Sequence, residues 1–269
     1  MKIIKNKNSL IKLIVDKKNI GFIPTMGGIH DGHVYLIKKS IAENNISIVS
    51  IFINKPQFNR KTDFIKYPRI LNKDIKKIKK LKIDYLFIPS SKQIYPKGSN
   101  KNIKVHSFAK KLCGKHRPGH FKGVVDVIER FIKIINPKKI YMGQKDMQQL
   151  MIVKNFVSKK YKHIKICECK TIREKNGMPF SSRNFLLSKE EKIIASKVIK
   201  LLRVSKNKIF KKKILINSIK KTIYGMGVNK IDYIKLLNIN KLIKPYKESN
   251  NYKIFISFYI KNVRLIDNI

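Results

Sequence analysis

Two histidines stand three residues apart in a glycine-rich segment that follows an apolar run, Pro24-Thr-Met-Gly-Gly-Ile-His-Asp-Gly-His33. Glycines let the backbone approach a ligand closely, and a helix that begins here offers free N–H groups to an anion. His30 and His33 would share one side of its first turn, where imidazoles can donate hydrogen bonds to triphosphate oxygens. The alternative is a glycine-rich turn with two exposed histidines. Because the pair follows a strand and opens a helix, its position favours nucleotide binding.

Polar residues also follow two other apolar segments. Asn54 and Gln57 come after the segment 46–53, and Gly143-Gln-Lys-Asp146 comes after 139–142. In parallel sheets ligands bind outside the carboxyl ends of the strands, so these residues are candidates for the same cleft as the histidines. Taken alone, Asn54 and Gln57 are more typical of an ordinary polar loop. Lys145 is one of 54 lysines, and only its position after a strand makes it a candidate for phosphate binding.

Short apolar segments alternate with helical patterns through the first two thirds of the chain. Strands are predicted at 20–24, 46–53, 84–88, 139–142 and 164–169, and helices at 33–44, 71–81, 124–135 and 147–157. This alternation predicts βαβ units and a parallel sheet buried on both faces. The predicted fold is therefore an α/β, Rossmann-like parallel sheet with helices on both faces, formed by residues 1–170.

The last third of the chain has a different pattern, and residues 171–269 are predicted to form a smaller α+β domain. Ser188 and Glu191 have the spacing of a capping box at the start of a helix. That helix is predicted to continue to Leu202, and a second helix is predicted at 214–224. The remaining predicted elements are strands at 231–237, 252–259 and 263–266.

The composition is strongly basic, with a formal net charge of +46. Lysine and arginine neutralise phosphates in nucleic-acid complexes, so one interpretation is a nucleic-acid-binding protein. The other is compositional drift in an A/T-rich genome, which explains the abundance of lysine, isoleucine and asparagine together. Drift is favoured because the lysines are spread along the whole chain. No specific nucleic-acid partner is therefore predicted.

The cysteines and the N-terminus argue against other classes of protein. Cys113, Cys167 and Cys169 lack two further ligands at zinc-site spacing, so buried or half-buried thiols are expected and no metal site is predicted. Lysines interrupt the apolar stretches of the first 19 residues, and no run approaches the roughly 18 apolar residues of a membrane span. We expect a cytoplasmic protein without a membrane partner.

Seven segments point together to a known family. They are Gly21-Phe-Ile-Pro-Thr-Met-Gly-Gly-Ile-His-Asp-Gly-His33, Ser50-Ile-Phe-Ile-Asn-Lys-Pro-Gln-Phe58, Tyr67-Pro-Arg69, Arg117-Pro-Gly-His-Phe-Lys-Gly-Val124, Gly143-Gln-Lys-Asp-Met-Gln-Gln-Leu150, Ser181-Ser-Arg-Asn184 and Arg264-Leu-Ile-Asp-Asn268. His-x-Gly-His at 30–33 is the signature of the nucleotidyltransferase superfamily. In this order, over nearly the whole chain, the set resembles the pantoate–β-alanine ligases, or pantothenate synthetases.

The resemblance implies a reaction and its reactants. The family condenses pantoate with β-alanine and consumes ATP, releasing pantothenate, AMP and pyrophosphate through a pantoyl adenylate. It further implies Mg²⁺ carried with ATP, a homodimer, and a C-terminal domain that acts as a lid. The segment 180–183 stands in the place of the superfamily's mobile K-M-S-K-S loop, although a polar turn before a helix is the alternative.

The resemblance also implies roles for particular residues. Those implied to be catalytic are His30, His33, Lys145 and Arg183. Those implied to bind ATP are Met26, Gly27, Gly28, Ile29, His30, Asp31, Gly32, His33, Gly143, Gln144, Lys145, Asp146, Ile172, Phe180, Ser181, Ser182 and Arg183. Those implied to bind the substrate are Asn54, Gln57 and Gln149. His120 is expected to be a structural turn residue.

The chain departs from the family's pattern at three of these positions. Gln144 replaces the usual Glu, which puts a charged role there in doubt but leaves a backbone contact possible. Phe180 replaces Met or Leu, and Ile29 replaces Leu. We still expect an active enzyme. The competing hypotheses are another nucleotidyltransferase with the same histidine signature and a basic nucleic-acid-binding protein.

Overall fold

The computed structural model describes residues 1–100, 102–239 and 251–269. The chain divides into two compact units, Met1–Ile172 and Arg173–Ile269, two residues from the boundary that the sequence predicts.

The first unit contains the parallel sheet that the sequence predicts. Its strands are β1 (Lys2–Ile4), β2 (Ile20–Thr25), β3 (Ile46–Ile51), β4 (Tyr85–Phe87), β5 (Lys139–Gly143) and β6 (Lys165–Cys169). Their spatial order is β1-β4-β3-β2-β5-β6, and every pairing is parallel. The helices of this unit are α1 (Lys7–Ile14), α2 (Asp31–Glu43), α3 (Lys61–Ile65), α4 (Leu71–Lys79), α5 (Ser91–Ile94), α6 (Cys113–His116), α7 (His120–Ile135) and α8 (Met147–Lys160).

Strand register brings the predicted polar segments to one edge of the sheet. β2 pairs with β3 from Ile20↔Ile46 to Thr25↔Ile51, and with β5 at Phe22↔Ile140. β2 therefore lies between β3 and β5, and the chain leaves all three strands at the same edge. The segments that begin at Met26, Phe52 and Gln144 must then be neighbours, as the sequence predicts.

Helix α7 covers one face of this sheet. Phe131 packs its ring 5.3 Å from that of Phe22, centroid to centroid, and 6.0 Å from that of Phe52. The helix begins at His120, after Gly119 with a φ of 78°. The predicted start at 124 is wrong by four residues, because the first run of aliphatic residues in the helix begins only at Val124.

The first 14 residues form two elements that the sequence analysis did not predict. β1 pairs with β4 at Lys2↔Tyr85. The Asn6 side chain caps α1 by accepting hydrogen bonds from two main-chain N–H groups, and α1 buries Leu10 and Ile14. Lysines occupy the exposed positions between these apolar residues, which obscures a short edge strand and a short amphipathic helix.

The second unit combines two helices with an antiparallel sheet. Its elements are α9 (Lys189–Phe210), α10 (Ile216–Gly225), β7 (Lys230–Asn238), β8 (Tyr252–Ile260) and β9 (Val263–Asn268), with strand order β7-β8-β9. The predicted capping box is confirmed: Ser188 Oγ accepts from the Glu191 N–H at 3.2 Å, and Glu191 Oε2 accepts from the Ser188 N–H at 2.8 Å. α9 runs eight residues beyond the predicted end at Leu202. The predicted α+β architecture is confirmed.

The cysteines are buried thiols, as expected. Cys167 and Cys169 lie on β6 and belong to an apolar cluster with Ile23 and Tyr141. Among the described residues, no helix combines the length and apolar character needed to cross a bilayer.

Candidate active site

A buried carboxylate fixes the main chain of the turn after β2. Gly27 and Gly28 have φ values of 79° and 64°, a region that favours glycine. Asp74 Oδ2 accepts from the Gly28 N–H at 2.9 Å, and Oδ1 accepts from the Ile29 N–H at 2.7 Å. Only 2% of Asp74 is exposed. Burial raises the pKa of this carboxyl, and the two N–H groups that it accepts from oppose that shift.

Asp74 lies on α4 and was missed by the sequence analysis. It is the only acid in a helix that carries four lysines, so a solvated basic face was the natural interpretation. One turn later on the same helix, Lys77 pairs with Asp31 at 2.8 Å, at the start of α2. α4 therefore fixes the main chain of the turn and also adds a positive charge beside it.

His30 and His33 lie together at the start of α2. Their rings stack with centroids 3.9 Å apart and an interplanar angle of 23°. The His30 N–H donates to His33 Nδ1 at 3.4 Å. A ring nitrogen that accepts carries no hydrogen, so neutral His33 has its hydrogen on Nε2 and can donate from that atom.

Burial keeps both imidazoles neutral at physiological pH. It lowers the pKa of His33 to about 4, an effect that Asp146 opposes and that Lys145 and Lys77 strengthen. Burial, followed by the charges of His33 and Lys145, also lowers the pKa of His30 well below its ordinary value. The pair therefore acts as a set of neutral hydrogen-bond donors rather than as a cation.

Lys145 and Asp146 follow β5, as the sequence predicts, in a short 3-10 turn over Gln144–Asp146. Lys145 Nζ lies 3.3 Å from Asp146 Oδ1, and 17% of the Lys145 side chain is exposed. The charges of Lys145 and Asp146 shift the pKa of His33 in opposite directions, Lys145 lowering it and Asp146 raising it. Two lysines from different elements thus surround the histidine turn, an arrangement suited to a ligand with several negative charges.

Asn54 and Gln57 form a second polar group next to the turn. Asn54 is 1% exposed; its Nδ2 donates to Gln57 Oε1 and to the Gly123 carbonyl, each at 2.9 Å, and its Oδ1 accepts from the Tyr95 hydroxyl at 2.6 Å. Gln57 Nε2 lies 3.2 Å from Met26 Sδ, which joins this group to the turn after β2. Tyr95, which the sequence analysis missed, thus helps to hold Asn54.

The carbonyl of Gly123 fixes the orientation of both amides. A carbonyl only accepts, so Asn54 must turn Nδ2 toward it, and the second hydrogen of Nδ2 then points to Gln57 Oε1. Gln57 consequently presents Nε2, a donor, away from Asn54. This arrangement suits a carboxylate or hydroxyl oxygen of a ligand.

The other predicted site residues fall in several places. Gly143, Gln144 and Gln149 are half-buried near the carboxyl end of β5 and in the first turn of α8. Ile172 is the last residue of the first unit. Phe180, Ser181, Ser182 and Arg183 lie in the second unit, where Ser181 Oγ accepts from the Arg183 N–H at 3.3 Å and caps a 3-10 turn. Within the described part of the chain, no three His, Cys, Asp or Glu residues are grouped as metal ligands would be.

Comparison with known families decides between the hypotheses. The family model described as pantoate-beta-alanine ligase matches residues 2–269.

The chain belongs to the pantoate–β-alanine ligase family.

Curated relatives agree over the full length. The chain is 37% identical to a pantothenate synthetase of Caldicellulosiruptor saccharolyticus, with 100% of this chain and 97% of that protein covered. It is 40% identical to the pantothenate synthetase of Francisella tularensis subsp. mediasiatica, with 98% and 94% covered.

Solved structures of the pantoate–β-alanine ligase family have the same fold. The Francisella tularensis ligase, crystallised in complex with beta-gamma ATP and β-alanine, has a TM-score of 0.85 at 38% identity, covering 100% of this chain and 97% of that one. The Thermus thermophilus ligase has a TM-score of 0.90 at 27% identity, covering 100% and 99%. The family match supports the pantoate–β-alanine ligase hypothesis over the alternative of a basic nucleic-acid-binding protein.

Proposed function

We propose that this chain condenses pantoate with β-alanine at the expense of ATP, forming pantothenate, AMP and pyrophosphate. The observation that carries the proposal is the contact between two preorganised groups. The turn held by Asp74 adjoins the oriented amide of Gln57, with Gln57 Nε2 3.2 Å from Met26 Sδ. Formation of an acyl adenylate requires this adjacency, because a carboxylate must be held beside the α-phosphorus of ATP.

In the first step, a pantoate carboxylate oxygen attacks the α-phosphorus of ATP. A new P–O bond forms, and the bond from the α-phosphorus to the oxygen shared with the β-phosphorus breaks. That oxygen leaves with pyrophosphate. His33 Nε2–H and His30 donate hydrogen bonds to the phosphate oxygens, and Lys145 neutralises charge that develops on them. Main-chain N–H groups of the first turn of α2 also bind this anion.

In the second step, the amine of β-alanine attacks the carbonyl carbon of the pantoyl adenylate. The C–N bond forms, the C–O bond to the phosphate breaks, and AMP leaves while the amine loses a proton to solvent. No covalent link to the protein is needed, because the adenylate is already an activated acyl group. The protein positions the reactants, stabilises charge and keeps water away from the adenylate.

Pantoate is positioned by Gln57 and Gln149 in this proposal. Gln57 donates from Nε2 to pantoate oxygens, since Asn54 already occupies its Oε1. Asn54 itself acts mainly by orienting Gln57. Both N–H groups of its amide are engaged within the protein.

The second unit supplies the residues for pyrophosphate departure. We assign hydrogen-bond donation to the hydroxyls of Ser181 and Ser182, and a planar two-pronged contact with pyrophosphate to Arg183. Phe180 and Ile172 are assigned to the adenosine end. The support is the match of 181–184 to the family's pattern. The unit would act as a lid that closes over ATP.

Further expectations follow from family membership. Mg²⁺ enters with ATP as part of the substrate, and the half-exposed Asp146 carboxylate is the group that would hold a water of that ion. The active species is a homodimer that works in the cytoplasm, without a specific nucleic-acid partner. Analytical ultracentrifugation tests the dimer directly.

The test of the proposed function measures products with defined substrate omissions. The purified protein receives ATP and Mg²⁺ with pantoate alone, with β-alanine alone, or with both. We expect sustained AMP and pantothenate formation only with both substrates, and a single-turnover burst of pyrophosphate with pantoate alone. If folded protein that binds ATP forms no AMP with both substrates, the proposal is wrong. AMP transfer to phosphopantetheine or nicotinate mononucleotide would then indicate another nucleotidyltransferase.

A further inference from the structure

Two side chains of the segment 117–120 hydrogen-bond to the main-chain carbonyl of Gln57. His120 Nδ1 lies 2.7 Å from Gln57 O, and Arg117 Nη2 donates to the same oxygen at 3.2 Å. Arg117 Nη1 lies 3.4 Å from His120 Nε2, which closes the triangle. His120 is 7% exposed.

The acceptor fixes the protonation of His120. A carbonyl oxygen only accepts, so His120 must carry a hydrogen on Nδ1. Nε2 of the neutral ring can then accept from Arg117, which itself can only donate. The two lone pairs of the Gln57 carbonyl therefore receive two donors, one neutral and one cationic.

The first turn of α7 also packs closely against the loop that contains Gln57. Gly123, one turn into α7, lies against residues 56 and 57. A Cβ built on Gly123 would lie 2.7 Å from the carbonyl carbon and oxygen of Pro56 and 2.8 Å from the Gln57 nitrogen. Such distances exclude any side chain there without movement of the loop. Asn59 also donates to the carbonyl of Pro118, and Arg117 Nη2 lies 3.7 Å from Asp63 Oδ2.

The segment 117–123 thus holds both the side chain and the main chain of Gln57. The Gly123 carbonyl orients Asn54, and Asn54 in turn orients the Gln57 amide. Arg117 and His120 fix the Gln57 carbonyl and with it the position from which the side chain extends. The first turn of α7 and the residues before it set both the place and the direction of the Gln57 donor.

We propose that Arg117 and His120 are positioning residues for pantoate, which act through the Gln57 carbonyl without touching a substrate. This inference rests on the proposed function, in which Gln57 binds pantoate. The histidine is more than a turn residue in this account, because its Nδ1–H sets the placement of a substrate-binding amide.

The test compares His120→Ala with His120→Asn by steady-state kinetics. Removing the Nδ1 donor is expected to raise the KM for pantoate about 10- to 100-fold, with the KM for ATP changed by less than about twofold. His120→Asn carries an amide N–H that can donate to the carbonyl and should recover most of the loss. His163→Ala is the matched control, since His163 is exposed and its Nε2 lies 3.1 Å from Asn136 Oδ1. If His120→Ala raises the KM for pantoate and the KM for ATP by the same factor, the proposal is overturned.

A double-mutant cycle with Gln57→Ala separates positioning from general structural support. If His120 acts through Gln57, then His120→Ala adds less than about threefold to the pantoate KM in the Gln57→Ala background. A full additional loss there would contradict the proposal. If His120→Ala does not fold, Arg117→Lys carries the test. Lysine lacks the planar fork with which Arg117 directs Nη1 toward His120 Nε2 and Nη2 toward Gln57 O, so about a tenfold rise in pantoate KM is expected.

The activity of the wild-type protein separates a failure of the proposed function from a failure of the positioning role. If it forms no pantothenate, the proposed function fails and the role of Arg117 and His120 in pantoate binding fails with it. If it turns over normally while the His120→Ala, His120→Asn and Arg117→Lys proteins keep the wild-type KM for pantoate, only the positioning role is overturned.

Discussion

The His30 N–H donates to His33 Nδ1 at 3.4 Å while the two rings stack 3.9 Å apart. This one main-chain contact selects the tautomer of His33 that has its hydrogen on Nε2. Burial selects the neutral charge state of both rings. A donor of this kind can bind phosphate oxygens without first gaining a proton, so phosphate binding by the pair need not change between neutral and mildly acidic pH.

Neutral, half-buried histidines should make stability depend on pH. The pKa of His33 falls from 6.5 to about 4 on folding, so the unfolded chain binds more protons between these values. The free energy of unfolding should therefore fall by about 1.4 kcal/mol for each pH unit between about 6.5 and 4 from His33 alone, with a further contribution from His30. Urea denaturation at about pH 7 and about pH 5 measures it. His33→Asn should flatten this dependence, and an unchanged slope would show that His33 titrates normally in the fold.

Asp74 is expected to matter for both stability and ATP binding. Asp74→Asn replaces one accepting oxygen with a donor that faces a main-chain N–H, so the free energy of unfolding should fall by about 2–4 kcal/mol. The KM for ATP should rise, because Gly28 and Ile29 lose their fixed positions. Asp31→Asn is the control, since its carboxylate is 58% exposed and its ion pair should contribute less than about 1 kcal/mol. Equal stability losses in the two variants would refute the role given to Asp74.

Replacing Lys145 should lower kcat/KM for ATP far more than replacing an exposed lysine. Lys145→Met removes the partly buried charge beside the histidines and should lower kcat/KM for ATP by about 100-fold or more. Lys154→Met, on the following helix, removes an ammonium whose side chain is 58% exposed and should change kcat/KM by less than about twofold. Similar values for the two variants would mean that Lys145 is an ordinary surface lysine.

The charge of +46 should produce only salt-sensitive association with nucleic acids. Fluorescence anisotropy with duplexes of unrelated sequence should give similar affinities at low salt. Those affinities should fall by about 10³-fold or more between 50 and 200 mM salt. A duplex that binds much more tightly than the others, and keeps its affinity at 200 mM salt, would indicate a selected nucleic-acid function.

The strands could be predicted from sequence because the central parallel strands are buried on both faces and read as continuous apolar runs. β2 and β3 follow this rule, and their ends define where the site lies. β1 could not be found in this way, because it has three residues and lies at the sheet edge. The end of α9 was also missed, because lysines along its exposed face conceal the buried Ser205 and Ile209.

The positions of candidate site residues were predictable where those residues follow a strand directly. The histidine pair lies after β2 and Lys145 after β5, where the sequence predicts them, and their roles stay predictions. Asp74 and Tyr95 could not be found, because they reach the site from distant segments through tertiary contacts that leave no local pattern. The sequence offered a weak signal for Asp74, a lone acid in a lysine-rich helix. It offered none for Tyr95.

Transfer of an oxygen atom from pantoate to AMP shows whether pantoate is activated as its adenylate. Pantoate labelled with ¹⁸O in its carboxylate is incubated with the protein, ATP, Mg²⁺ and β-alanine, and the AMP is analysed by mass spectrometry. If the carboxylate attacks the α-phosphorus, the bridging oxygen leaves with AMP, so AMP carries a labelled oxygen and pyrophosphate carries none. Unlabelled AMP formed alongside pantothenate would contradict activation of pantoate as its adenylate.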